Sequence, residues 1–186
     1  MRMNQIVVVY HSPWGHTAAV ANAIADGVTS AGTSTATVIS VDAVDSHWQQ
    51  LDAADALIFG CPTYMGNVTA GFKAFMDASG SRWLQQRWRN KLAAGFTNSG
   101  SPSGDKLQTL IALTLFAAQH GMLWIGNDTP CDPDTGLNRS GSYLGVMTES
   151  RDTPVGPDNP PASDLETARR LGRRVAETCA RMRIDG

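Results

Sequence analysis

Ser12, Pro13, Trp14, Gly15, His16 and Thr17 stand between an apolar run, Ile6–Tyr10, and the helical pattern Thr17-Ala-Ala-Val-Ala-Asn-Ala-Ile24. Hydroxyl and glycine residues at a strand-to-helix junction bring backbone N–H groups and the positive helix end to one point, and that combination binds a phosphate. The loop lacks the G-x-G-x-x-G of dinucleotide sites and the G-K-[ST] of nucleoside-triphosphate sites. What it does carry, the Ser12 and Thr17 hydroxyls with a turn proline, an aromatic and a glycine, suits the single phosphate of a mononucleotide held without metal or lysine. A charged His16 at a positive helix end is favourable only with an anion beside it, so its ring is expected to touch the phosphate.

Two further loops have the composition of a binding surface. In Gly60-Cys-Pro-Thr-Tyr-Met-Gly-Asn67, Pro62 fixes a turn, Gly66 permits close backbone approach, and Thr63, Tyr64 and Asn67 offer polar groups. A plain strand-to-helix turn has that composition, and so does the border of a flavin ring, which needs polar groups along one edge and apolar bodies against its faces. Thr97-Asn-Ser-Gly-Ser-Pro-Ser-Gly-Asp105 is longer than a minimal connection and is either a surface flap or a ligand loop that presents N–H groups. The position of all three loops at the same end of one sheet selects the ligand reading.

The elements that place them alternate. Strand-like runs cover residues 5–10, 35–41, 56–59, 92–97 and 122–125; helical patterns cover 16–31, 46–53, 69–79, 104–120 and 163–182. The last helix carries a capping box, Ser163 with Glu166. Residues 126–162, rich in Gly, Pro, Asp, Asn and Ser, read as loop. This alternation predicts an α/β fold: a flavodoxin-like three-layer sandwich around a five-stranded parallel sheet of order 2-1-3-4-5, with residues 1–186 as one domain. In such a sheet the ligand lies beyond the carboxyl ends of the strands at the switch point between strands 1 and 3, and the loops named above fall there.

Composition narrows the class. In 186 residues, 15 Lys+Arg against 17 Asp+Glu leave a formal net charge of −2, which gives no pull toward nucleic acid or an anionic membrane. No apolar run is long enough to span a bilayer, and no signal peptide precedes the first strand. Cys61, Cys131 and Cys179 are scattered and resemble neither a disulfide framework nor a zinc site; they read as reduced thiols in a cytoplasmic protein, with no metal expected. Trp124 sits among Met122, Leu123 and Ile125 and reads as core, whereas Trp14, between a proline and a glycine, reads as the rim of a site. The arginine pairs at 169–170 and 173–174 read as the solvated face of the last helix.

The segments His11-Ser-Pro-Trp-Gly-His-Thr17, Gly60-Cys-Pro-Thr-Tyr-Met-Gly-Asn-Val-Thr-Ala-Gly-Phe-Lys-Ala-Phe-Met-Asp77, Lys91-Leu-Ala-Ala-Gly-Phe-Thr-Asn-Ser-Gly-Ser101 and Gln119-His-Gly-Met122 resemble the WrbA-type NAD(P)H:quinone oxidoreductases, FMN-binding members of the flavodoxin-like superfold. The resemblance covers residues 5–126 and, more weakly, the last helix. It implies an enzyme that passes hydride from NAD(P)H through flavin N5 to a quinone-like acceptor, with a flavodoxin-type electron carrier as the alternative; the near-neutral charge favours the enzyme. It implies that Ser12, Pro13, Trp14, Gly15, His16 and Thr17 hold the FMN phosphate, that Pro62, Thr63, Tyr64, Met65, Gly66 and Asn67 border the isoalloxazine, and that Asn98, Ser99, Gly100, Ser101 and Ser103 close the ribityl side. It also implies that Trp83 and His120 line the substrate pocket near the flavin, that Ser142 and Tyr143 approach the ring from a neighbouring subunit, and that the protein is a homo-oligomer, dimer or tetramer. Two segments depart from the family pattern: the connection from Val41 to Asp55 is short, and the late loop reads Arg139-Ser-Gly-Ser-Tyr-Leu-Gly145.

Overall fold

The computed structural model describes residues 2–184. Strand β1 (Asn4–Tyr10) runs up the centre of the sheet into helix α1 (His16–Ser30) and the edge strand β2 (Ser34–Ser40). A 3-10 segment, Val41–Ser46, and the short helix α2 (Trp48–Ala53) lead into β3 (Ala56–Tyr64), which turns back as β4 (Asn67–Val68). Helices α3 (Ala70–Ala78) and α4 (Gly80–Leu84), strand β5 (Leu92–Ser99), helix α5 (Lys106–Gln119) and strands β6 (Leu123–Trp124) and β7 (Val146–Glu149) follow, and α6 (Ala162–Ile184) closes the order.

The sheet order is β2-β1-β3-β5-β6, all parallel along that path, which is the expected flavodoxin-like order once the short β4 is counted. β3 is buried from Ala56 through Thr63, as a central strand covered on both faces must be. One face buries Val7, Val9, Leu57, Phe59, Phe72, Phe75, Trp88, Leu110 and Leu113. The other buries Ile6, Val8, Val20, Ile24, Ile58, Phe96, Leu171 and Val175 beneath α1 and α6. Those two helices touch backbone to backbone. A Cβ on Gly27 would stand 1.9 Å from the Arg169 carbonyl oxygen, and one on Gly172 would stand 2.0 Å from that of Ile24, so only glycine allows the approach.

The fifth sheet position differs from the expectation in a way that matters for the site. It is split: β6 pairs with Leu92 and Ala93 at the start of β5, and β7 pairs with Phe96–Ser99 at its end. The chain leaves the sheet after Trp124 and returns twenty-odd residues later to finish the strand, inside the segment read as loop. Because β7 ends beside Ser99, the chain after it is delivered to the carboxyl edge of the sheet. The capping-box expectation is also corrected. Helix α6 begins at Ala162, the Leu165 N–H bonds the Pro161 carbonyl, and Ser163 lies inside the first turn. Glu166 pairs with Arg169 and Arg170 rather than reaching back.

Candidate functional site

The first loop folds around the start of α1. Gly15, with φ +89°, is the N-cap residue, and its carbonyl accepts the Ala19 N–H at 3.0 Å. The Ser12 hydroxyl accepts the Ala18 N–H at 3.0 Å. The N–H groups of His16 and Thr17 precede any intrahelical acceptor, so they are left for a ligand. Thr17 is only 1 % exposed, lines the cleft, and among the described residues its hydroxyl has no hydrogen-bond partner. His11 braces the loop from below through Nδ1 to the Thr69 hydroxyl at 2.7 Å.

The second and third loops stand on a hydroxyl ladder. The Thr97 hydroxyl donates to the Cys61 carbonyl at 2.8 Å, and Thr63 Oγ1 lies 2.8 Å from Thr97 Oγ1 and 2.7 Å from Thr109 Oγ1. Asn98 Oδ1 accepts from the hydroxyls of Thr148 at 2.7 Å and Ser150 at 2.9 Å, which locks the end of β5 to β7. Lys106, with no exposed surface, donates Nζ to the carbonyls of Ser101 and Thr148 at 2.9 Å each. Burial holds its ammonium below the usual lysine range, against the pull of Glu149 and Asp164. Asp164, itself buried, accepts Arg139 Nε at 2.8 Å and Nη2 at 3.0 Å and the Glu149 N–H at 2.9 Å, fixing β7 to the head of α6.

Together these pieces enclose a cleft of about 660 Å³, a size suited to a mononucleotide. Ser12, Trp14, His16 and Thr17 line one end; Pro62, Thr63 and Tyr64 line the floor and rim; Asn98, Ser99 and Gly100 line the third side. Trp14 is 77 % exposed and lines the cleft near Tyr64. Burial raises the Tyr64 phenol above its ordinary range, and the nearby Trp14 offsets part of that. Burial also pushes the Cys61 thiol up to about 12, which leaves it protonated and unfit as a nucleophile. Pro13 and Gly15 shape the first loop without lining the cleft. Met65 (φ 49°), Gly66 (φ 73°) and Asn67 form the turn into β4, with Met65 fully exposed, and Ser101 and Ser103 are exposed outside the wall.

Three of the expected residues have other partners within this chain. His16 lines the cleft as a residue, but its ring spends Nε2 on the Thr153 carbonyl, to which it donates at 2.8 Å. His120 and Trp83 are absent from the cleft lining. His120 follows Gln119 at the carboxyl end of α5 and leads into β6, whose Leu123 pairs with Leu92, the first residue of β5, so it sits at the opposite edge of the sheet. There its ring packs 4.3 Å from Trp88 and 4.9 Å from Phe116, centroid to centroid, and Nε2 lies 2.9 Å from the Ser79 hydroxyl. That hydroxyl donates to the Met76 carbonyl, so Nε2 carries the imidazole proton and Nδ1 is a bare buried acceptor. Burial lowers His120 to about 4. Trp83 lies in α4, which continues directly from the end of α3. Ser142 is buried with its hydroxyl on the Gly145 carbonyl at 2.7 Å, and Tyr143 is exposed.

The fourth wall was missed at the sequence level. Ser150, Arg151, Asp152, Thr153 and Pro154 line the cleft as a strap between β7 and α6. Buried Asn159 holds it, accepting the Arg151 N–H at 2.8 Å and donating to the Thr153 carbonyl at 2.9 Å and hydroxyl at 3.0 Å. An Asn before two prolines is a loop signal in sequence, and nothing local shows that its amide is spent on residues six to eight positions back.

The profile of the NADPH-dependent FMN reductase family matches residues 30–131. The chain is 36% identical over 185 residues to "Flavodoxin FldP" of Pseudomonas aeruginosa (strain UCBPP-PA14), covering 94% of this chain and 96% of that protein. It is 31% identical to an "NAD(P)H dehydrogenase (quinone)" of Archaeoglobus fulgidus, covering 97% of this chain and 100% of the other. Among solved structures, the flavodoxin, WrbA-like protein from Agrobacterium tumefaciens superposes with a TM-score of 0.76 at 41% identity, over 96% of this chain and 98% of that one. With the cleft built from the loops that carry the resemblance, and with these matches along nearly all of its length, the chain belongs to the NADPH-dependent FMN reductase family and to its WrbA-type members.

Proposed function

We propose that this protein is an FMN-dependent NAD(P)H oxidoreductase that passes hydride, by way of flavin N5, to a quinone-like acceptor. The observation that carries the reading is the junction at Ser12–Thr17: two N–H groups without an intrahelical acceptor, and the hydroxyl of the buried residue Thr17, stand at a helix N-terminus beside a cleft of mononucleotide size. The donor set of the Ser12–Thr17 loop contains no cluster of metal ligands, in keeping with a phosphate monoester held without a metal. The Pro62–Tyr64 and Asn98–Gly100 segments supply an apolar body, a phenol and loop N–H groups for a ring and its ribityl chain. Bound FMN supplies the redox chemistry. The protein's own residues position and shield: Ser12 and Gly15–Thr17 at the phosphate, Pro62, Thr63 and Tyr64 along the ring, and Asn98, Ser99 and Gly100 on the remaining side, with Trp14 at the mouth. Met65, Gly66, Asn67, Ser101 and Ser103 shape these walls, and the His16 ring fastens the strap. A cytoplasmic homo-oligomer is part of the same reading, supported by the exposed Leu107 and Leu115 on α5.

Steady-state turnover of the FMN-loaded protein with NADH and with NADPH against benzoquinone, naphthoquinone and ferric acceptors tests it. Turnover with a quinone and at least one nicotinamide donor is the expected result; none with any pair overturns the reading. The second reading, an electron carrier, is favoured by the 36% identity to a protein named a flavodoxin. It predicts FMN uptake with no bleaching by either nicotinamide, whereas the net charge of −2 is small for steering to basic partners.

A further inference from the structure

The strap sets an arginine on the cleft wall and gives its guanidinium nothing to hold. The Arg151 main chain is gripped on both sides by the buried Asn159 amide: its N–H donates to Oδ1 at 2.8 Å and its carbonyl accepts from Nδ2 at 3.3 Å. Two residues on, the Thr153 carbonyl accepts both from Asn159 and from His16 Nε2, which ties this wall to the start of α1. Two other arginines near the late loop are spent on carboxylates, Arg139 on Asp164 and Glu149, and Arg174 on Asp128. Among the described residues the Arg151 guanidinium makes no hydrogen bond and no ion pair, and the residue is exposed and belongs to the cleft lining.

Charge balance indicates what it is for. A phosphate monoester carries roughly −1.5 to −2 at neutral pH, and a helix N-terminus supplies only about half a positive charge. The Ser12–Thr17 loop contains neither lysine nor arginine, and the His16 ring is occupied with Thr153. Of the residues that line the cleft, Arg151 alone is a permanent cation, and Asp152 beside it is an anion. We propose that Arg151 is the counter-ion of the FMN phosphate, held over it by the Asn159–His16 latch; this rests on the FMN reading above. Asp152 then works against the phosphate, so the two neighbours are opposed in sign.

Riboflavin has the same ring and ribityl chain without the phosphate, which separates charge recognition from wall-building. Apoprotein would be titrated with FMN and with riboflavin by flavin-fluorescence quenching, for the native chain, Arg151→Gln, Arg151→Lys and Asp152→Asn. Thermal melts of each apoprotein would confirm the fold, which these exposed positions leave intact. Arg151→Gln should weaken FMN about tenfold or more and change riboflavin by less than about twofold. Arg151→Lys should retain part of the difference, and Asp152→Asn should tighten FMN alone. Equal weakening of both flavins by Arg151→Gln would make Arg151 a wall residue and overturn the assignment. So would unchanged FMN affinity accompanied by a rise only in the KM for NADPH. A native chain that takes up neither flavin overturns the FMN reading itself, whereas native uptake with an indifferent Arg151→Gln overturns only the role of Arg151.

Discussion

The two edges of the sheet are built from the same kinds of residue and do opposite things with them. At the carboxyl edge, the hydroxyl of Thr17, the first N–H groups of α1 and the Arg151 guanidinium are kept in a fixed frame with no protein partner. At the amino edge, His120 is enclosed by Trp88, Phe116 and Ser79, and its uncharged form is enforced by burial. An aromatic and a histidine near each other therefore say little by themselves. What separates a site from a core is whether the polar groups around them are satisfied internally.

The comparison breaks most readily at Trp88. It has no exposed surface and meets Phe59, Phe75, Phe116 and His120, while its indole N–H donates to Asp52 at 2.9 Å. Trp88→Ala should cost about 3–5 kcal/mol in urea unfolding, and FMN affinity measured on the folded fraction should not change. A variant that loses flavin without losing stability would place the amino edge in the site. The next largest effect is from pH. His120 is lowered to about 4 in the folded chain, against about 6.5 when unfolded, so the unfolded state binds the extra proton between those values. Its contribution is full above pH 6.5 and is lost as the pH falls toward 4, by up to about 3 kcal/mol. Urea midpoints across that range should fall for the native chain and flatten for His120→Phe. A smaller effect is expected at Asn159. Asn159→Ala frees the Arg151 N–H and leaves the Thr153 carbonyl to His16 alone, and should lower stability by about 1–3 kcal/mol while weakening FMN and leaving riboflavin nearly unchanged. Melting curves and flavin titrations would read both effects.

The course of the chain was legible wherever period decided it. The apolar runs of β1, β3 and β5 and the stripes of α1 and α5 fall within a few residues of their expected places because burial on both faces of a parallel sheet leaves little freedom. The Ser12–Thr17, Pro62–Tyr64 and Asn98–Gly100 segments were legible as one group because strand order places their loops at one edge. Strand β7 was hidden, since Gly145-Val-Met-Thr-Glu149 is short and lies within a Gly-, Pro- and Asp-rich stretch. The strap went with it, because Asn159 reveals its role only through bonds to residues that the fold brings round. His120 was misplaced for a geometric reason. Fourteen residues of helix extend about 21 Å, enough to carry its end from one edge of the sheet to the other.

The most direct test is a fluorescence titration of the apoprotein with FMN, repeated for Thr17→Val in the cleft and for Trp83→Ala outside its lining. One FMN should bind per native chain, with an affinity lower by about fivefold for Thr17→Val from the lost hydroxyl bond and a Trp83→Ala curve that overlays the native one. Failure of the native chain to take up FMN, or a loss confined to Trp83→Ala, would contradict this assignment of the site.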